Sequence, residues 1–245
     1  MSNLAKVLVA SAAVVAVAVV GINLVPGRPS GAGAVAPSAS PSASSVAPSA
    51  SPSPTPEPTA SLVAHTIRPC CLEDVQGLGS MTFAITAPSS WDVWEGLGVW
   101  PRGPGNGPPD GAYVGLYPGG DVYSEPCLTD AEASADVLVG PTVDDLVTAL
   151  VDHPALDVTA PVDVTLAGYS GRYLDLTVPD DISECAAYMP MNHHIYAQGP
   201  GQRWHMWILD VDGVRLLVET NDYAGTPAER LAEEQAIVES LVITP

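Results

Sequence analysis

The sequence predicts an α+β domain in which an antiparallel sheet is covered by about two helices. Apolar and polar residues alternate over several short segments, as in half-buried strands. The pair Asp212-Gly213 separates two apolar runs, which is typical of a tight hairpin turn. Two amphipathic segments carry helix-capping residues, and nothing in the order of segments indicates repeated strand–helix–strand units.

The first 64 residues differ in composition from the rest of the chain. Residues 7–25 are uncharged and mostly apolar, and as a helix of about 28 Å they are long enough to cross a bilayer. Residues 26–64 are almost entirely Pro, Ser, Ala, Gly and Thr, a composition typical of a disordered stalk. We therefore predict a transmembrane anchor at 7–25, a stalk at 26–64 and a folded domain at 65–245. A cleavable signal peptide is the alternative to the anchor.

The charges that flank residues 7–25 give the orientation. Lys6 precedes the predicted helix and Arg28 follows it, so the bias toward an N-terminus inside is small. The predicted location is the cell membrane, with a single pass and the C-terminal domain outside the cytoplasm.

The chain is strongly acidic, with 28 acidic and 8 basic residues and a formal net charge of −20. Nucleic-acid binding is excluded because it requires clustered Lys and Arg. Docking on an anionic lipid surface is excluded for the same reason. Because the acidic residues are scattered along the chain, they indicate a solvated surface.

Strand-like segments recur through the predicted domain, and residues 102–111, rich in Gly and Pro, form a loop between two of them. Residues 91–100 form either a strand pair or one bent strand. The other predicted strands are 81–86, 112–117, 162–166, 173–178, 204–211, 214–220 and 241–244.

Two helices are predicted. Thr142 caps the first, which ends at His153-Pro154. The segment Thr226-Pro227-Ala228-Glu229 reads as a capping box with proline at the first position of the second helix. Glu233 and Glu234 are assigned to the water-facing side of that second helix.

The chain has four cysteines: Cys70, Cys71, Cys127 and Cys185. None shows the CxxC spacing of a zinc site or a redox dithiol. In an exported domain cysteines pair by default, and three connectivities are open.

Four stretches of the sequence resemble an exported domain common in actinobacteria, which carries one N-terminal helix and a Pro/Ser-rich stalk. They read TVDDLVTAL, PVDVTLAGYSGRYLDLTVPDD, WILDVDG and IVESLVITP. The resemblance extends from Thr82 to the C-terminus and implies location and fold more than activity. It also implies a disulfide between Cys127 and Cys185.

A more distant similarity is to the PsbP/Mog1-like fold of exported lipoproteins. It is carried by an apolar strand followed by Ala87-Pro88-Ser89-Ser90-Trp91. The cysteine that attaches lipid in those proteins is missing here, so anchoring would differ.

The candidate metal ligands are His193, His194 and Met191, because imidazole and thioether together suit copper. Their spacing matches no standard motif, and an ordinary surface loop is the competing interpretation.

Other chemical signals have structural explanations. No GxSxG motif is present, and Asp210-Val211-Asp212-Gly213 reads as a hairpin turn more readily than as a calcium loop. The carboxylate pairs Asp180-Asp181 and Glu233-Glu234 read as solvated charge. Trp204 and Trp207 fall on opposite faces of one strand, so at least one is core and the other is available for a ligand surface.

The function predicted from these features is a membrane-anchored extracytoplasmic binding or structural domain of the cell envelope. Its partners are an unknown envelope ligand or protein and the membrane itself, and no cofactor is predicted. One alternative is an exported enzyme, which a pocket with convergent polar groups and shifted pKa values would favour. The other is a copper-handling protein.

Overall fold

The computed structural model describes residues 61–67, 78, 80–94, 98–103, 105–192 and 195–245. The predicted anchor, most of the predicted stalk, Cys70, Cys71, His193 and His194 lie outside these residues. Within the described part of the chain, no helix is long and apolar enough to cross a membrane.

The described residues form an α+β arrangement, which confirms the predicted class. The strands are β1 (Leu62–Ile67), β2 (Thr82–Pro88), β3 (Trp91–Trp94), β4 (Gly98–Pro101), β5 (Tyr113–Tyr117), β6 (Cys127–Leu128), β7 (Asp157–Val158), β8 (Val162–Leu166), β9 (Tyr169–Thr177), β10 (Ala187–Tyr188), β11 (Arg203–Val211), β12 (Val214–Asp222) and β13 (Val242–Thr244). The helices are α1 (Val143–Val151) and α2 (Ala228–Glu239). β1 begins before residue 65, so strand structure extends into the segment predicted as stalk.

The main sheet has the strand order β3-β4-β5-β12-β11-β9-β7, with β8 also paired to β9, and the pairings in it are antiparallel. Its centre is the β11–β12 hairpin, in which Val211 lies opposite Val214. The turn residues Asp212 and Gly213 have φ angles of 53° and 87°. Positive φ at both positions is the requirement of a type I′ turn, so the predicted hairpin is confirmed.

One face of the main sheet is covered by α2 and by a smaller sheet of order β1-β2-β13. Alternate residues of β11 and β12, such as Leu209 and Val218, point to this side and pack in one buried cluster with Phe83 and with Ile237 of α2. We call this side the α2 face.

The opposite side, the α1 face, is covered by α1, whose Leu146 and Leu150 pack against Ile208 and Leu217. The N-terminus of α1 has the predicted cap: the Asp145 amide donates to the Thr142 hydroxyl at 3.1 Å, and the Thr142 amide donates to the Asp145 carboxylate at 3.0 Å. This reciprocal pair satisfies two amides that the helix itself leaves unpaired.

The start of α2 differs from the prediction. Its N-cap is Pro227, and no side chain caps it. The Thr226 hydroxyl accepts from the Tyr223 amide at 2.9 Å and donates to the Gly111 carbonyl at 3.0 Å. The predicted capping box is therefore wrong, because the turn before the helix already uses the hydroxyl that would have formed it.

Cys127 and Cys185 form a disulfide, with 4.9 Å between their Cα atoms. The bridge lies beside the short antiparallel pair of β6 and β10. It joins positions 58 residues apart, and the segment between them contains α1, β8 and β9. The pairing that the family resemblance implied is confirmed.

Candidate ligand pocket on the α2 face

The register of β9, β11 and β12 brings four charged residues together at one end of the α2 face. His205 lies opposite Asp175 of β9, and Arg203 lies opposite Asp222 of β12. On β11 the apolar residues that face α2 give way to His205 and Arg203 toward the start of the strand. The polar cluster therefore lies on the same face of the sheet as the buried apolar residues, next to the last of them.

His205 is held between two carboxylates. Its Nδ1 atom is 2.6 Å from Oδ1 of Asp175, and its Nε2 atom is 3.0 Å from Oδ2 of Asp222. Burial lowers the pKa of His205, but the hydrogen bonds with Asp222 and Asp175 outweigh it and hold the pKa above its ordinary value. An imidazole that donates from both nitrogens is positively charged.

Asp222 is almost fully buried, with 3% of its side chain exposed. Its Oδ1 atom accepts from Nε of Arg203 at 2.7 Å, and Nη2 of Arg203 contacts the same oxygen. A buried carboxylate needs this pairing, because an uncompensated charge in a low-dielectric environment is costly. The two carboxylates, the imidazolium and the guanidinium together carry no net charge.

Tyr173 extends the network toward the edge of the sheet. Its hydroxyl donates to Oδ1 of Asp175 at 2.5 Å. The Tyr173 ring lies 5.0 Å from the Trp207 ring between centroids, with the planes tilted by 56°. These two rings give the polar cluster an aromatic wall.

Glu234 projects from α2 toward the same cluster, and only 3% of it is exposed. Its Oε1 atom accepts from the Tyr113 amide at 3.0 Å, and burial raises its pKa to about 9. The prediction that Glu233 and Glu234 both face water is wrong for Glu234. It precedes Val238 by one helical turn and shares the buried side of α2, while Glu233 binds the Trp91 indole and Arg230 near the surface.

A pocket of about 530 Å³ opens to solvent beside this cluster. It is lined by Tyr173, Arg203, His205, Trp207, Thr220, Asp222, Leu231, Glu234 and Gln235. A volume of this size is within the range of small-molecule sites. The pocket combines an aromatic and aliphatic wall with a hydrogen-bonding floor whose charges cancel.

Of the three predicted copper ligands, the structure describes Met191, which does not line this pocket. Met191 is fully buried in the core cluster of the α1 face, and His193 and His194 lie outside the described residues. Across the described ranges, no three His, Cys, Asp or Glu side chains are grouped so that they could hold a metal ion.

Two smaller predictions are confirmed. Trp204 is buried on the α1 face, while Trp207 is partly exposed in the pocket on the α2 face. The Asp210 carboxylate accepts from the Gly213 amide at 2.7 Å, so this acidic segment stabilises the hairpin turn.

Sequence reasoning did not connect His205 with Asp175 and Asp222, because the three residues are separated by up to 47 positions and form no local motif. A signal was present in the strand patterns. Charged residues replace apolar ones near the start of β11 and near the ends of β9 and β12. Antiparallel pairing places these three strand termini side by side.

No family model matches the chain, and no curated protein is significantly similar to it. Among solved structures, the chain is similar to LpqN of Mycobacterium tuberculosis, described as involved in cell envelope biogenesis. The identity is 15% over 75% of this chain and 92% of LpqN, with a TM-score of 0.34. A protein of Bacteroides thetaiotaomicron VPI-5482 matches with 12% identity over 66% of this chain and a TM-score of 0.31, and the chain spans 45% of that protein. Similarities this weak carry no argument about function.

Proposed function

We propose that the chain is an extracytoplasmic ligand-binding domain of the cell envelope, and that the α2-face pocket takes a neutral, hydroxyl-rich ligand of about the size of a sugar. The observation that carries this proposal is the charge-neutral cluster around His205, set beside the Trp207 and Tyr173 rings.

The location outside the cytoplasm is supported by two features. The Cys127–Cys185 bridge fits an oxidising compartment, since such bonds are rare in the cytosol of most organisms. The apolar segment 7–25 and the Pro/Ser-rich segment that follows it have the composition of an anchor and a stalk.

Binding is favoured over catalysis by the state of His205. Each of its ring nitrogens is engaged by a carboxylate, so neither is available as an acceptor for a proton from substrate. A general base must reach the proton that it removes with a free lone pair. His205 therefore holds Asp175 and Asp222 in place and balances their charge, and it does not activate a nucleophile.

The ligand class follows from the lining. A sugar ring has apolar C–H faces, which pack on aromatic rings such as Trp207 and Tyr173, and hydroxyl groups, which both donate and accept. The lining offers both kinds of partner: the Arg203 guanidinium donates, the Thr220 hydroxyl donates or accepts, and the Gln235 side-chain carbonyl accepts. Because the charges in the floor cancel, a neutral ligand loses less on desolvation there than an ion does.

The test is a titration of the full-length chain in detergent micelles with glucose, galactose and maltose, followed by NMR at the Trp207 indole. We expect a saturable shift with at least one of these sugars, and its loss in Trp207→Ala. Trp100→Ala is the matched control, because Trp100 stacks on Trp94 away from the pocket, and it should bind as the wild type does. Absence of a saturable shift at Trp207 and His205 with all three sugars would contradict the proposal.

An exported enzyme is the second candidate, and Glu234 favours it. The pocket holds convergent polar groups with shifted pKa values, and a carboxylic acid that stays protonated near neutral pH is suited to act as a general acid. Release of nitrophenol from nitrophenyl glycosides separates the two candidates. Turnover that Glu234→Gln abolishes and Glu233→Gln preserves would establish an enzyme, whereas sugar binding without turnover supports a binding domain.

A further inference from the structure

A second group of buried polar side chains lies on the α1 face, behind the ligand pocket. Glu219 and Asn221 of β12 point to this side, since they alternate with Thr220 and Asp222 of the pocket. Together with Gln202 they line a cavity of about 20 Å³. Its walls are aromatic: Trp94, Tyr113, Tyr117, Tyr196 and Trp204.

Three side-chain atoms in this cavity have no hydrogen-bond partner among the described residues and are shielded from bulk solvent. They are Oε2 of Glu219, Oδ1 of Asn221 and Nε2 of Gln202. Each of the three side chains makes a hydrogen bond through its other polar atom. Oε1 of Gln202 accepts from the Gln198 amide at 2.7 Å, and Nδ2 of Asn221 donates to Oε1 of Glu219 at 3.4 Å.

Three unpaired atoms in one place would be costly, because a buried polar group without a partner loses its hydration and gains nothing in return. Internal water molecules occupy such places and make about three hydrogen bonds each, and the cavity has room for one.

We propose that this cavity is a binding site for a single internal water molecule, which accepts from Gln202 and pairs with Glu219 and Asn221. The water donates to both oxygens when Glu219 is ionised. When Oε2 of Glu219 carries a proton, the water accepts from it and donates to Asn221 alone. In either state each of the three atoms has a partner.

The donor set argues against a cation in the same place. A cation would meet the Nε2 amide hydrogens of Gln202, which the bond from Gln198 keeps directed into the cavity. Burial also raises the pKa of Glu219 to about 8, so that the carboxyl group lacks the negative charge at neutral pH that would attract a cation.

The experiment measures water–amide Overhauser effects on the full-length chain, labelled with ¹⁵N and held in detergent micelles. We expect a cross-peak between water and the Gln202 side-chain amide with the sign of a long-lived complex. The exposed Gln235 amide on α2 is the matched control and should show only short-lived water. A Gln202 amide that shows no long-lived water would overturn the proposal.

Two variants and one titration complete the test. Glu219→Gln keeps a hydrogen-bonding group and should retain the Gln202 cross-peak, whereas Glu219→Met should lose it. An unchanged cross-peak in Glu219→Met would mean that Glu219 does not hold the water and would contradict the assignment. Saturable shifts of Gln202 and Asn221 on addition of sodium or ammonium chloride would place a cation there and overturn it. The wild-type measurement decides the matter even if Glu219→Met fails to fold.

Discussion

His205 and Asp222 are joined through Nε2 and Oδ2 at 3.0 Å, across neighbouring strands of the main sheet. This contact gives a direct prediction about the charge of the imidazole. Asp222→Asn removes the partner that raises the pKa of His205 most, and we expect that pKa to fall. An NMR titration of the imidazole carbon-bound protons measures it.

The matched control for that titration is Asp163→Asn, because Asp163 is an exposed strand carboxylate that pairs with Arg172 far from the pocket. It should leave the midpoint of His205 unchanged. Equal midpoints in the wild type and in Asp222→Asn would show that the contact does not set the charge of the ring.

The buried acids predict how stability depends on pH. Glu219 and Glu234 have pKa values raised from 4.5 in the unfolded chain to about 8 and about 9 in the fold. From pH 4.5 up to these raised pKa values, the folded state binds more protons than the unfolded state. The free energy of unfolding therefore falls as pH rises. The raised pKa of His205 acts in the same direction. We expect the free energy of unfolding, measured with urea, to decrease from pH 5 to pH 9.

The variants Glu219→Gln and Glu234→Gln should each flatten this dependence, because an amide does not titrate. Glu239→Gln is the matched control: Glu239 is exposed on α2, and its replacement should leave the slope as in the wild type. Parallel slopes in all four proteins would contradict the assignment of Glu219 and Glu234 as neutral buried acids.

The cap of α1 predicts a difference between two identical substitutions. Thr142→Ala removes the side chain that accepts from the Asp145 amide, and we expect a loss of about 1 kcal/mol in the free energy of unfolding. Thr148→Ala, on the exposed side of the same helix, should be neutral or slightly stabilising because alanine has the higher helix propensity. Equal effects in urea unfolding would contradict the role of Thr142 as a cap.

The disulfide predicts the largest single effect. Replacing Cys127 and Cys185 by alanine together releases a closed segment of 58 residues, and the chain-entropy relation gives a loss of about 4 kcal/mol. The measurement is urea unfolding of the double variant against the oxidised wild type, with the reduced wild type as a second reference. A loss under about 1 kcal/mol would show that the segment is held by its packing alone.

The parts of the fold that follow from local rules could be predicted from the sequence. Thr142 with Asp145 specifies a cap within four residues, and Asp212-Gly213 specifies a turn within two. The alternation of side chains along β11 alone places Trp204 and Trp207 on opposite faces of the sheet.

The parts that depend on pairing between distant segments could not. His205 meets Asp175 only because β9 and β11 pair in one register, and 30 residues separate the two. Glu234 resembles its neighbour Glu233 in sequence, and its burial is decided by how α2 sits on the sheet. The capping box predicted at Thr226 is wrong because the Thr226 hydroxyl donates to the carbonyl of Gly111, 115 residues away.

β1 is the first strand that the structure describes, and it lies at one edge of the smaller sheet. Among the described strands β1 pairs only with β2, and of its six side chains only Ile67 is buried. The other edge of β2 pairs with β13. We therefore expect tension applied to the chain before Leu62 to detach β1 first, while β2 and β13 still cover the core. With the anchor proposed at residues 7–25, β1 would therefore yield to a pull from the membrane before the strands that line the pocket.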